Sequence, residues 1–205
     1  MTPSRPVPSA APVAPLSRLQ RLTAGWVYGG SLSGLVILAL VPAIGAAWTL
    51  EQLLVVLSLP IYMIHQYEEH DDDRFRRFVN DTLAGGREVL TVADVFVINV
   101  FGVWAVLAVV ILASFTLHPP CGVTAGYLLL VNGLLHVAQA LALRRYNPGL
   151  VTGIVLFLPL GATILVTVGV DASLLEHLVA LGLVVLLHLA IVARVASRRR
   201  RAPAT

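Results

Sequence analysis

The 205-residue chain carries six apolar blocks, at about 26–48, 50–67, 92–115, 123–143, 150–170 and 174–194. Each is near the roughly 20 residues that a helix needs to cross the hydrocarbon core of a bilayer. The expected fold is therefore all-α: a polytopic membrane helical bundle with six transmembrane helices. The blocks use up most of the chain, so one membrane domain is expected over 23–196, between an N-terminal tail (1–22) and a basic C-terminal tail (197–205). Composition agrees, because only 12% of residues are charged, against about a quarter in soluble domains. The opening "MTPSRPVPSAAPVAPLSRLQ" is rich in Pro, Ala and Ser and is expected to be disordered. A cleaved signal peptide is the weaker reading of the first block: the run is long enough to span, and Trp26 and Trp48 bracket it as interfacial anchors do. Cys121 is the only cysteine, so no disulfide can form within the chain.

Orientation is set by arginine. All 14 basic residues are Arg, and they fall before the first block, between the second and third, between the fourth and fifth, and after the sixth. The other three loops, around Thr49, Pro119 and Asp171, have none. Short loops rich in Lys and Arg stay in the cytoplasm, so a multi-pass protein of the cell membrane with both termini cytoplasmic is expected. Each Arg cluster abuts a span, where it would attract anionic lipid rather than nucleic acid.

Some polar residues at block ends have a structural explanation. Thr49 with Gln52, Thr91 with Asp94, and Ser173 with Glu176 each fit the capping pattern that satisfies orphan N–H groups at a helix start. "HPPCG" at 118–122 and "YNPG" at 146–149 read as turns, and His118 as a solvated turn residue.

The remaining polar residues form a layer. His65 lies nine residues before Arg74, His136 eight before Arg144, and His188 six before Arg194. At 1.5 Å per residue, all three sit roughly 9–14 Å inside the Arg level. Asn132 and Gln139 flank His136, and Asn99 reaches a similar depth on the third block. Ionisable groups within spans cost about 2.5–3.5 kcal/mol each and usually mark function. In "HQYEEHDDD", His65, Glu68 and Glu69 share one helical face. Two adjacent carboxylates beside an imidazole resist full ionisation unless a divalent metal or a shared proton compensates. His70 is out of register with His65 and is expected at the interface, while Asp71, Asp72 and Asp73 with "RFRRF" read as a solvated amphipathic extension.

"HQYEE" at 65–69, with "NGLLHVAQALALRRYNPGLVTGIVLFLPLG" later in the chain, resembles the HXXEE family of bacterial integral membrane proteins over about residues 50–190. The second block matches in order: an Asn and a His one turn apart, a Gln, then basic-Tyr-x-Pro-Gly-x-x-Thr and a later Pro. The resemblance implies functional roles for His65, Glu68, Glu69, Asn132 and His136, with Gln139 beside them and His188 as a later histidine. It names no reaction.

The best expectation is a metal-dependent membrane enzyme of hydrolase type. His65, Glu69, His136 and His188 would hold a divalent metal, zinc or iron, and Glu68 and Glu69 would be catalytic. Asn99, Asn132 and Gln139 would support them. Depth suggests a lipid-soluble substrate from the inner leaflet. A proton- or cation-coupled transporter is the alternative, for which Glu176 and His177 could supply a second, outer site. A structural or partner-binding protein comes third, since polar contacts between membrane helices average under about 1 kcal/mol and make an expensive glue.

Overall fold

The structure, a computed structural model, describes residues 16–201, and every regular element within them is helical. Helix α1 (Arg18–Ile44) leads to α2 (Leu50–His70) and a short α3 (Arg74–Arg77), which runs into a π-turn over Phe78–Leu83. Then come α4 (Val92–Thr116), α5 (Val123–Leu143), α6 (Leu150–Asp171) and α7 (Leu174–Arg201). Among the described residues, five helices are long and apolar enough to cross a membrane: α1, α4, α5, α6 and α7. Helix α2 matches α5 in length, but its last turns hold Gln66, Glu68, Glu69 and His70.

That polar helix is also the central one. Ten residues of α2 are buried, against two of α7, so the others wrap it and α7 lies at the periphery. Helix α1 packs closely on it because Gly34 faces Pro60: a Cβ on Gly34 would stand 3.0 Å from the Pro60 carbonyl oxygen. Gly30 likewise faces Trp104, whereas Gly29 faces open space. The apolar core joins Val55 and Tyr62 of α2 to Leu107 of α4, Leu128 and Leu129 of α5, and Phe157 and Ile164 of α6.

The three caps form as the sequence predicts. Thr49 and Gln52, and Thr91 and Asp94, exchange reciprocal bonds at the starts of α2 and α4. Ser173 and Glu176 do the same at the start of α7. Asp94 has a further role, because its carboxylate also pairs with Arg194 and Arg198 and so ties the end of α7 to the start of α4. His118 is exposed in its turn.

Two boundaries differ from expectation. Ser17 and Gln20 form a capping box, so α1 starts at Arg18 and takes in residues expected to belong to the tail. The rest of the disordered-tail expectation, residues 1–15, lies outside the described residues. Helix α7 continues through Arg201 into the expected C-terminal tail, of which 202–205 lie outside the described residues.

The larger correction concerns the segment after the motif. Asp71–Asp73 form a tight turn in which Asp72 and Asp73 have φ of 52° and 58°. Asp residues tolerate this left-handed region better than most. Each Asp pairs with an arginine of the next segment: Asp71 with Arg74, Asp73 with Arg76, and Asp72 with Arg77. The chain is thereby folded back, with Phe75 against the His70 ring. His70 is consequently buried, packed also on Trp26, and not at an interface with water.

Candidate metal centre

His65, Glu69 and His136 meet where the last turns of α2 pass α5. His65 has no solvent exposure, Glu69 is 6% exposed and His136 6%. One ligand atom from each lies within 4.8 Å of the others, a grouping able to hold a metal ion. His65 Nε2 is 3.6 Å from Glu69 Oε2, and His136 Nε2 is 3.7 Å from Glu69 Oε1. Both separations exceed the 2.7–3.2 Å of an N–H···O hydrogen bond, so the groups face one another without bonding.

The proton positions are set by the surrounding network. Asn147 Nδ2 donates to the His136 main-chain carbonyl at 2.8 Å, which fixes the amide orientation and turns Oδ1 toward His136 Nδ1, also at 2.8 Å. An amide oxygen only accepts, so His136 carries its proton on Nδ1 and presents a lone pair at Nε2. The same logic holds for His65. Thr152 Oγ1 donates its hydrogen to Glu68 Oε2 at 2.5 Å and must therefore accept from His65 Nδ1 at 2.8 Å. His65 Nε2, buried without a hydrogen-bond partner, is then a second lone pair aimed at the Glu69 carboxylate.

Two lone pairs and a carboxylate converging in a buried space are electrostatically unfavourable unless a metal cation or a shared proton lies among them. Imidazole nitrogens held by a partner at the far ring atom are typical of metal-binding histidines. Tetrahedral ligands at 2.0–2.1 Å from zinc stand roughly 3.3 Å apart, and the two His–Glu69 separations, 3.6 and 3.7 Å, are somewhat longer. Two imidazoles and a carboxylate suit zinc or iron, and leave coordination positions open for a reactant.

The two adjacent glutamates do different things. Glu68 accepts from Val151 N at 3.1 Å, Thr152 N at 2.7 Å, Thr152 Oγ1 and the Tyr146 hydroxyl at 2.9 Å. It satisfies orphan N–H groups at the start of α6, whose own N-cap, Gly149, has no side chain to do so. Burial, with the Glu68 carboxylate beside it, pushes the Tyr146 phenol up, which keeps it a donor. Glu68 is thus held away from the convergent group, and only Glu69 enters it.

Gly149 adds a steric condition. Its φ is +95°, and a Cβ there would stand 2.6 Å from His136 Cε1 and 2.9 Å from His65 Cε1. The turn backbone has to pass directly over both imidazoles, and only glycine allows it.

A cavity of about 540 Å³ opens beside the group, with Glu69, His70 and His136 on its wall and apolar side chains of α4 and α7 around it. His70 Nε2 is 3.1 Å from Glu69 Oε2 but out of line for a hydrogen bond. The expected supporting residues all line this cavity: Asn99, Asn132 and Gln139. Asn99 accepts from Gln66 at 2.8 Å, and Gln66 accepts from Trp104, an amide pair that joins α2 to α4. Asn132 donates to the Tyr62 hydroxyl at 2.9 Å. His188 also lines the cavity, yet its Nδ1 donates to Val184 O of its own helix and it stands outside the convergent group. Thr152, Asn147, Gln66 and His70 are the residues that motif reasoning left out of the site.

No curated protein sequence and no solved structure matches the chain significantly. A family model described as "Protein of unknown function with HXXEE motif" matches residues 56–164. The match spans more than half of the chain and takes in His65, Glu68, Glu69, His136, Asn147 and Thr152, and the protein therefore belongs to the HXXEE family.

Proposed function

We propose that the protein is a metal-dependent membrane enzyme of hydrolase type, acting on a lipid-soluble substrate at the His65–Glu69–His136 group. The observation that carries this reading is the pair of imidazole lone pairs aimed, with Glu69, at one buried point beside an apolar cavity. All six long helices span the bilayer in this reading, α2 being shielded by α1, α4, α5 and α6. Both termini are cytoplasmic by the distribution of Arg, and the Arg-rich end attracts anionic lipid.

A divalent cation at that point supplies Lewis acidity toward a carbonyl or phosphoryl oxygen. The chain supplies the rest. Thr152 and Asn147 hold the imidazoles in the reactive tautomer, and Glu68 holds Thr152. Glu68, satisfied by four donors, is unsuited to proton transfer, and the general-base role falls to His70, whose ring lines the cavity beside Glu69. His70 takes a proton from water and returns it to the leaving group.

The transport alternative needs a polar path to the other end of the bundle. His177 there is bonded at both nitrogens, to Tyr127 and to Gly169, and Glu176 is a cap. That favours the enzyme.

Metal analysis of the purified protein tests the reading. Close to one equivalent of zinc or iron is expected in the wild type, background levels in His65→Ala and His136→Ala, and an unchanged level in His70→Gln. A metal-free wild type, or a metal level indifferent to His65 and His136, would overturn it.

A further inference from the structure

Helix α7 packs along α5 and is tied to the first turn of α4 by Arg194 and Arg198 on Asp94. Beyond that tie the two helices diverge, and the Leu187 side chain reaches across to α4 at Gly102. The cavity beside Glu69 lies between Val95, Ile98 and Val103 of α4 and Leu187, Ile191 and Val195 of α7. A second cavity, of about 430 Å³, shares Leu128 and Leu187 with the first and continues along α7 to Leu183. From Val195 to Leu183 is twelve residues of helix, a run of about 18 Å. The two cavities thus lie end to end along α7, a groove narrowed at Leu187 with one polar end.

The groove's chemistry narrows its occupant. The carboxylate and imidazole side chains on its walls are Glu69, His70, His136 and His188, all at the polar end; the second cavity has none. None of the described arginines lines either cavity. A phosphate or carboxylate head would lack the forked donors that normally bind such groups. The polar end offers a neutral pair instead. Asn132 Nδ2 donates to the Tyr62 hydroxyl, which leaves Asn132 Oδ1 buried without a donor and the Tyr62 hydroxyl hydrogen without an acceptor. Reversing the amide exchanges the roles and still leaves one free donor and one free acceptor. Buried polar groups are normally paired, so this couple suits an uncharged head that both donates and accepts. A secondary amide does both, and a hydrolytic site can consume it.

We propose that the groove binds one long-chain fatty amide, its head at Tyr62 and Asn132 beside Glu69 and its hydrocarbon chain along α7. The assignment of a substrate role rests on the metal-site reading; the binding of a neutral chain does not. In the reaction the acyl C–N bond breaks, the water's hydroxyl joins the acyl carbon, and its remaining proton passes through His70 to the amine nitrogen. The products are a fatty acid and an amine, with no redox partner required.

The test uses the full chain in phosphatidylcholine nanodiscs with three photoreactive probes of equal chain length, each with a diazirine near the chain end. One has an N-ethyl amide head, one a phosphate monoester head, and one is a diacyl phosphatidylcholine. The amide probe is expected to label the peptides around Val106 and Leu183 at least tenfold above the other two. Leu187→Trp, which plugs the neck between the cavities, is expected to abolish that labelling, and Asn132→Leu to remove the preference for the amide. Equal labelling by all three probes on the wild-type protein, a measurement that needs no variant to fold, would overturn the proposal. Labelling of Leu187→Trp at the wild-type level would do the same. Metal content read on the same samples separates the two ideas: selective amide labelling of a metal-free wild type sinks the enzyme and keeps the groove, whereas one equivalent of metal with unselective labelling does the reverse.

Discussion

At the end of the bundle where α6 meets α7, His177 uses both ring nitrogens, Nδ1 accepting from the Tyr127 hydroxyl and Nε2 donating to the Gly169 carbonyl, each at 2.9 Å. At the Arg-rich end, His65 and His136 use only Nδ1, and their Nε2 atoms face Glu69 unbonded. Both clusters join an imidazole to neighbouring helices, the first part-buried and the second buried. The first is complete within the protein and works as a staple. The second is incomplete in a directional way, with lone pairs facing a negative group that a shared proton or a metal cation would balance. Counting histidines inside the bundle therefore says little; counting their uncommitted nitrogens separates glue from a site.

The contrast between the two ends breaks most sharply at Gly149. Gly149→Val puts a branched side chain where φ is +95° and where both imidazoles stand within 3 Å of the new Cβ. Thermal unfolding should show a loss of about 2 kcal/mol or more, together with the disappearance of bound metal. Next come the residues that hold the tautomers. Thr152→Val and Asn147→Leu keep size and remove the partner of one Nδ1; each should weaken metal affinity about 10–100-fold in a chelator competition, and Thr152→Ser should restore it. An affinity indifferent to both would mean that the tautomers are not held in this way. His177→Phe strikes the staple. Its expected signature is a stability loss of about 1–3 kcal/mol for the two hydrogen bonds, with metal content untouched. The smallest effect is expected for Ser173→Ala, which removes only the cap of α7: about 1 kcal/mol, read by the same unfolding measurement, and again no change in metal.

The long helices were legible because an apolar block of spanning length leaves few alternatives, and the caps because their pattern is local. His65, Glu69 and His136 were legible because a motif and a common depth pointed to them. The division of labour between Glu68 and Glu69 could not be read. Both lie near the His65 face of α2, and the choice is made by α6, whose uncapped start at Gly149 draws Glu68 away from 84 residues' distance. The one available signal was that "YNPGLVT" opens a helix with no capping side chain of its own. His70 was misplaced for a different reason. Helical register says where a side chain leaves the helix, but the turn at Asp71–Asp73 decides which residues then fold over it.

The pairing of Glu68, Thr152 and His65 also bears on the order in which the protein is made. A chain emerging from the ribosome presents His65, Glu69 and His136 before it has Asn147 or Thr152, because synthesis proceeds from the N-terminus. Until α6 is inserted, the imidazoles can exchange tautomers and Glu68 is free to compete with Glu69. Nascent chains arrested before residue 147 should bind metal loosely and without preference between the two carboxylates. The site is completed by its second half, so in the metal-dependent reading selective capture of an ion would wait until the fifth long helix has been delivered.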